Sequence, residues 1–216
     1  MKAYIFCPSH FLNKEKIIIE LSPENLYIAA DSGIETAKAL DITPNILIGD
    51  FDSIDISLLE SDPYKNIKKI SHPREKDDTD LTLAVKYSLE TGYKNIIIIG
   101  GIDGRIDHTL ANLYLLKYIN SKGGAGYITN GYNRMRYIFN SAVQIKKEYK
   151  YISIIPMCPE IYGLTLRNFK YPLDNATLKM QESYFTVSNE ILPDKEYGEI
   201  EILNGEILIC ECEDVP

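Results

Sequence analysis

The chain has no tryptophan, four scattered cysteines and no excess of basic residues. Each shortage excludes something. No apolar run approaches the roughly 18 consecutive residues that a membrane helix needs, so no membrane partner is expected. The opening MKAYIFCPSHF lacks the long apolar core of a secretory signal, and a cytoplasmic location is expected. Cys7, Cys158, Cys210 and Cys212 do not form the spaced set of a disulfide framework. Cys210 and Cys212 would share one face of a strand, where buried thiols are a simpler reading than half of a zinc site. Lys and Arg number 23 against 31 Asp and Glu, a net charge of −8, and no basic stripe occurs. Phosphate backbones need clustered cations, so nucleic acid is not an expected partner.

What is present is ample core material, 45% hydrophobic over 216 residues, enough for one large or two small domains. Two halves follow different patterns. Residues 1–131 alternate short apolar runs at 27–30, 46–48 and 96–99 with helical stretches at 34–40, 79–89 and 109–119. The runs lack alternation, as strands buried on both faces of a parallel sheet do. Leu81, Ala84, Val85 and Leu89 recur at helical spacing. This predicts an α/β domain with a mostly parallel sheet. Residues 132–216 instead carry short β-forming segments at 149–157, 163–169, 176–180, 184–187, 198–203 and 206–212, separated by turn residues. Asn204-Gly205 between the last two predicts a tight hairpin. The second half is expected to be an all-β sandwich.

Three polar clusters carry chemistry. Gly49-Asp50-Phe51-Asp52-Ser53 follows an apolar run, so it belongs at the carboxyl end of a strand, where open α/β sheets bind ligands. In extended chain Asp50 and Asp52 point the same way, and two such carboxylates repel unless a cation lies between them. Magnesium takes hard oxygen ligands of this kind, together with substrate phosphates. The bland alternative is a helix cap at Asp52 or Ser53. Lys76-Asp77-Asp78-Thr79-Asp80 opens the next helix, with Asp77 and Asp80 on one face of its first turn. Acidic residues there also complement the helix dipole. That accounts for one or two of them but not for three beside a lysine suited to phosphate. Gly100-Gly101-Ile102-Asp103-Gly104-Arg105-Ile106-Asp107-His108 follows the third apolar run, with Asn112 one turn beyond His108. A glycine turn at a strand end lets backbone N–H groups approach phosphate, and Arg105 can grip phosphate oxygens. A tight turn before a capped helix is the alternative. His10 and His72 read as turn or surface residues.

Taken in order, Ala30-Asp31-Ser32-Gly33, GDFDS at 49–53, KDDTD at 76–80, GGIDGRIDH at 100–108, Leu110-Ala111-Asn112, KYPL at 170–173 and SNE at 188–190 resemble the thiamine pyrophosphokinase family. The resemblance implies an α/β catalytic domain binding ATP and Mg²⁺, followed by a β-sandwich that helps bind thiamine. It implies a homodimer with the active site at the subunit interface, and transfer of a pyrophosphoryl group from ATP to thiamine. By motif position, Asp50, Asp52, Asp77 and Asp80 would serve catalysis and metal. Lys76, Thr79, Gly101, Arg105, Asp107, His108 and Asn112 would hold nucleotide or phosphate. Asp31, Ser188, Asn189 and Tyr171 would face the thiamine.

Overall fold

The computed structural model describes residues 1–52, 54, 56–71 and 77–215, with the backbone alone at 56 and 183–185. The chain divides into two compact units, Met1–Gly131 and Tyr132–Pro216.

The first unit is built on six parallel strands: β1 (Lys2–Phe6), β2 (Leu26–Ala30), β3 (Ile46–Gly49), β4 (Lys68–Ser71), β5 (Asn95–Ile99) and β6 (Ala125–Thr129). Their order across the sheet is β4-β3-β2-β1-β5-β6. Helices α1 (Gly33–Ala39), α2 (Ile56–Glu60), α3 (Asp80–Glu90) and α4 (Ile106–Ser121) lie between strands in the chain. The expected parallel α/β architecture is thus present. β1 (KAYIF) and β4 (KKIS) join it although their runs are too short to stand out in sequence. Central strands are buried on both faces: every residue of β2 is buried, and Ile96–Ile99 of β5 are at most 4% exposed. Each such side chain stabilises the fold by about 1.5–3 kcal/mol. Tyr4 and Tyr27 stack at 5.5 Å inside one core cluster with Phe6, Ile97 and Ile99. A second cluster gathers Ile34, Leu47, Leu59, Tyr64 and Ile67. Among the described residues no helix is long and apolar enough to cross a membrane.

The second unit contains β7 (Asn133–Phe139), β8 (Ala142–Lys146), β9 (Tyr151–Pro156), β10 (Glu160–Arg167), β11 (Leu173–Lys179), β12 (Tyr197–Glu201) and β13 (Glu206–Cys212). β13 pairs antiparallel with β7 on one side and β9 on the other. A separate antiparallel sheet runs β11-β10-β12-β8. Ile152, Ile154, Ile207 and Ile209 of one sheet share a core with Ile145, Leu164, Leu166, Leu178 and Ile200 of the other, which is the expected sandwich.

Two local expectations fail. Asn204-Gly205 does not close a hairpin, because β12 and β13 belong to different sheets. The chain there passes between Tyr162, whose carbonyl accepts from the amides of Leu203 and Asn204, and Asn140, whose side chain accepts from Gly205 N. A Cβ on Gly205 would meet Ile161 at 3.0–3.2 Å, so the glycine serves a close crossing between sheets rather than a two-residue turn. Residues 184–187, expected as a strand, lie mostly within a kinked 3₁₀ segment, Met180–Thr186. Met180 N bonds to Pro159 O and the Thr186 hydroxyl to Ile154 O, so the segment is held at its ends and not by a ladder.

One end of the sandwich core is charged. Glu211 continues the inward face of Ile207 and Ile209 and is fully buried. Its carboxylate receives Arg134 in two bonds of 2.9 and 2.5 Å and Arg136 at 2.7 Å. Arg134 also meets Glu148 at 2.8 Å and lies 4.9 Å from the centre of the Tyr149 ring.

Candidate functional site

Strand order alone locates a crevice in the first unit. From β1 the chain builds outward through β2, β3 and β4, then returns to place β5 on the other side of β1. Segments leaving the carboxyl ends of β1 and β5 therefore diverge, and ligands of open α/β sheets bind at such a switch point. A cleft of about 460 Å³ lies there, within the size range of small-molecule sites. Its lining joins the segments after β1 (Cys7, Pro8, His10), β2 (Asp31) and β3 (Asp50), the start of α3 (Asp77–Asp80) and the turn after β5 with the start of α4 (Gly101–Asn112).

Asp31, Asp50 and Asp52 each offer a carboxylate oxygen within 4.8 Å of the others. Asp50 and Asp52 reach this arrangement by a different route from the extended chain expected. Phe51 between them takes a left-handed backbone at φ 66°, and Asp52 N donates to Asp50 Oδ1 at 3.2 Å, a tight turn that brings the carboxylates together. Asp31, expected at the thiamine, completes the group. Its backbone is also left-handed, φ 50°, and its N–H bonds to Ile48 O at 2.9 Å across β2 and β3. Non-glycine residues in that region cost about 1–2 kcal/mol, and such strain concentrates at functional positions. Three like charges this close repel, and a divalent cation relieves the repulsion while using their oxygens as ligands. The donor set therefore fits a hard metal ion.

Asp77 and Asp80 line the same cleft, and the Asp80 carboxyl carbon lies 3.5 Å from where a Cβ on Gly49 would stand. Neither belongs to the three-carboxylate group. Thr79 caps α3: its side chain accepts from Thr82 N at 3.2 Å. Asp78 is tied to Lys86 at 2.6 Å. Lys76 and Ser53 lie outside the described residues, as does His72.

The glycine turn is built by its neighbours. Gly100 has φ 88°, and a Cβ there would stand 2.4 Å from Cys7 O, so no other residue fits. Asn112, buried on α4, donates its side-chain amide to Gly101 O at 2.7 Å and so fixes the turn one helical turn below His108. Arg105 and Asp107 form a two-bond pair at 3.1 and 2.6 Å. The Arg105 guanidinium holds the Asp107 carboxyl below its ordinary range and is itself pushed up. Arg105 and His108 line the cleft. Cys7 is buried beneath it, and burial, with the nearby Asp80 charge second, pushes its thiol up to about 12.

The remaining expected residues lie together in the second unit. Asn189 is buried, and its side chain bonds both N and O of Tyr171 at 3.0 and 2.8 Å. Tyr171 is exposed, with Lys170 Nζ 5.7 Å from the centre of its ring. Ser188 takes a left-handed backbone, φ 57°, and its N–H bonds to Ser153 Oγ. Asn189 thus presents its two neighbours.

Sequence reasoning passed over the segment after β1 and gave Asp103 no role. The signal for the first was Tyr4-Ile5-Phe6 ahead of Pro8, a short β-forming run cut off by proline.

A doubly wound parallel sheet with carboxylates and a glycine turn converging at its switch point defines an α/β protein with a ligand crevice at the strand ends. The family profile described as thiamin pyrophosphokinase, catalytic domain, matches residues 20–125, and that described as thiamin pyrophosphokinase, vitamin B1 binding domain, matches residues 141–206. The chain is 34% identical over 175 residues to thiamine pyrophosphokinase of Bacillus subtilis (strain 168), covering 77% of this chain and 78% of that one. It is 28% identical over 201 residues to thiamin pyrophosphokinase 1 of Caenorhabditis elegans, covering 84% and 80%. A crystal structure of thiamine pyrophosphokinase from Bacillus subtilis superposes with a TM-score of 0.87 over 100% of both chains at 27% identity. The chain belongs to the thiamin pyrophosphokinase family.

Proposed function

We propose that the chain transfers the pyrophosphoryl group of ATP to the hydroxyl of thiamine, giving thiamine diphosphate and AMP. The observation that carries this reading is the convergence of Asp31, Asp50 and Asp52 within 4.8 Å beside a glycine turn at the switch point. Family membership supplies the acceptor. In phosphoryl transfers of this kind the protein contributes positioning and charge neutralisation more than covalent chemistry.

Asp31, Asp50 and Asp52 would hold magnesium through their carboxylate oxygens, and Asp77 lines the same cleft. When bound, magnesium would supply positive charge against the negative charge that develops on the phosphate oxygens. The side chains of Arg105 and His108, on the segment that follows the Gly100–Gly101 turn, meet the polyphosphate. Arg105 reaches phosphate by exchanging its pairing with Asp107. Asn112 keeps the turn in shape, and Thr79 fixes the start of α3, so that Asp80 is presented to the incoming hydroxyl and accepts its proton. Lys76 joins the phosphate contacts by its motif position. In the second unit Tyr171 offers an aromatic wall to the cationic thiamine rings, with Ser188 and Asn189 beside it.

The working form is a cytoplasmic homodimer with the active site at the subunit interface. The family resemblance supports the dimer, and Ile106, Leu110 and Tyr114 of α4 support the association of two copies. These recur every fourth residue and stand 73%, 52% and 58% exposed, an apolar stripe beginning beside the cleft.

Incubation with ATP, Mg²⁺ and thiamine, read by mass, tests the reaction. AMP and thiamine diphosphate in equal amounts are expected. Inorganic phosphate as the product, or AMP formed equally with other alcohols, overturns it. Light scattering of the eluted protein tests the dimer, with Leu110→Glu expected to yield monomer.

A further inference from the structure

We propose that Asp103 is a positioning residue for the cleft, and that what it positions is His10. The proposal rests on the reading that the cleft takes ATP.

At the switch point the segments after β1 and β5 diverge, which would leave both as unsupported loops. They are instead stitched together. Gly101 N donates to Pro8 O at 3.0 Å. Asp103 Oδ2 then collects three donors from the other segment: Ser9 Oγ at 2.6 Å, His10 N at 3.1 Å and Phe11 N at 2.9 Å. Successive backbone N–H groups and a hydroxyl converging on one anionic oxygen make a charge-assisted cradle, stronger than neutral hydrogen bonds. The His10 backbone is thereby fixed although the residue is exposed.

The chemistry of the cleft says what this is for. A carboxylate is a poor neighbour for a polyphosphate, because like charges repel. Asp103 lines the cleft nonetheless. Its cost is offset because one oxygen is already saturated by donors from the facing segment. The described lining residues that bear or can take positive charge are His10, Arg105 and His108. Arg105 is engaged with Asp107, whereas the imidazoles of His10 and His108 make no hydrogen bond or ion pair among the described residues. The ring of His10 is therefore ready to donate to a phosphate oxygen, and Asp103 sets where that ring stands. A preset donor loses less freedom on binding than one ordered at that moment.

The test compares Asp103→Ala, Asp103→Asn, His10→Ala and the Asp103→Ala/His10→Ala pair with the unmodified chain in the AMP-release assay. Either single alanine variant is expected to raise the KM for ATP about tenfold, the scale of one lost charge-assisted hydrogen bond. The KM for thiamine and the melting temperature should hold. Asp103→Asn, which keeps an acceptor oxygen, should recover part of the loss. The double variant should be no worse than Asp103→Ala alone, because His10 is already misplaced there. Additive losses, an unchanged KM for ATP, or a KM increase shared by both substrates with a lower melting temperature each overturn the proposal. If the unmodified chain releases no AMP, the reading of the cleft fails instead.

Discussion

Charge is concentrated twice in this chain, under opposite conditions. At the carboxyl ends of β2 and β3 Asp31, Asp50 and Asp52 gather carboxylates of one sign, half-buried or exposed, on a backbone strained at Asp31 and Phe51. At the end of the sandwich Glu211 is wholly buried and answered by Arg134 and Arg136, with Glu148 completing two charges of each sign. The buried cluster is balanced in charge by its own members and ties β13 to its neighbouring strand β7. The other cluster gathers three carboxylate oxygens within 4.8 Å, a donor set that suits a hard cation. Like charges gathered on costly backbone point to function, and a buried set of paired opposite charges points to structure.

Substitutions should separate the two. Asp50→Asn or Asp52→Asn is expected to lower kcat about a thousandfold, the scale of lost transition-state charge stabilisation. The melting temperature should not fall, because one repulsion is removed. A melting temperature that drops with activity would break the contrast. Glu211→Gln should do the reverse, destabilising the fold by about 3–5 kcal/mol in urea titration by leaving buried guanidinium groups short of countercharge. Activity per folded molecule should persist. Magnesium should raise the melting temperature of the unmodified chain with concentration, equivalent to about 2.7 kcal/mol at a hundredfold excess over its Kd. That response should vanish in Asp50→Asn and survive in Glu211→Gln. Thr79→Ala, which removes the α3 cap, should cost about 1 kcal/mol. The Arg105–Asp107 pair is fully exposed and should scarcely alter stability. Its sign is still defined. The depressed Asp107 carboxyl favours the fold above its ordinary 3.8, and that contribution disappears as pH falls through the lowered value. Arg105→Ala should return the carboxyl to its ordinary range in an NMR titration.

Much of the first unit was legible because buried parallel strands leave unbroken apolar runs, as in Ile96–Ile99, and because glycine must follow them where the turn is tight. The second unit is less legible at its joints. Asn204-Gly205 carries a hairpin signature, yet its partners, Asn140 and Tyr162, are distant in sequence, and they route the chain to the other sheet. The segment at 184–187 is rich in β-formers but lies mostly in a kinked 3₁₀ segment whose Thr186 hydroxyl is tied to Ile154 O. The carboxylates of the site were visible as residue types. Their grouping was not, because the left-handed turns at Asp31 and Phe51 that bring them together arise from strand packing and not from glycine in the sequence. Asp103 escaped for a related reason: its three donors come from the opposite side of the switch point, more than ninety residues earlier.

The position of β13 bears on how the protein emerges from the ribosome. Every strand of the first unit precedes residue 130, so that sheet can close while the rest is still being made. β7 and β9, by contrast, have β13 between them, and β13 is the last strand in chain order. Through the synthesis of about sixty intervening residues those two strands wait with open edges, and the sandwich can form only when its final strand arrives to fill the gap.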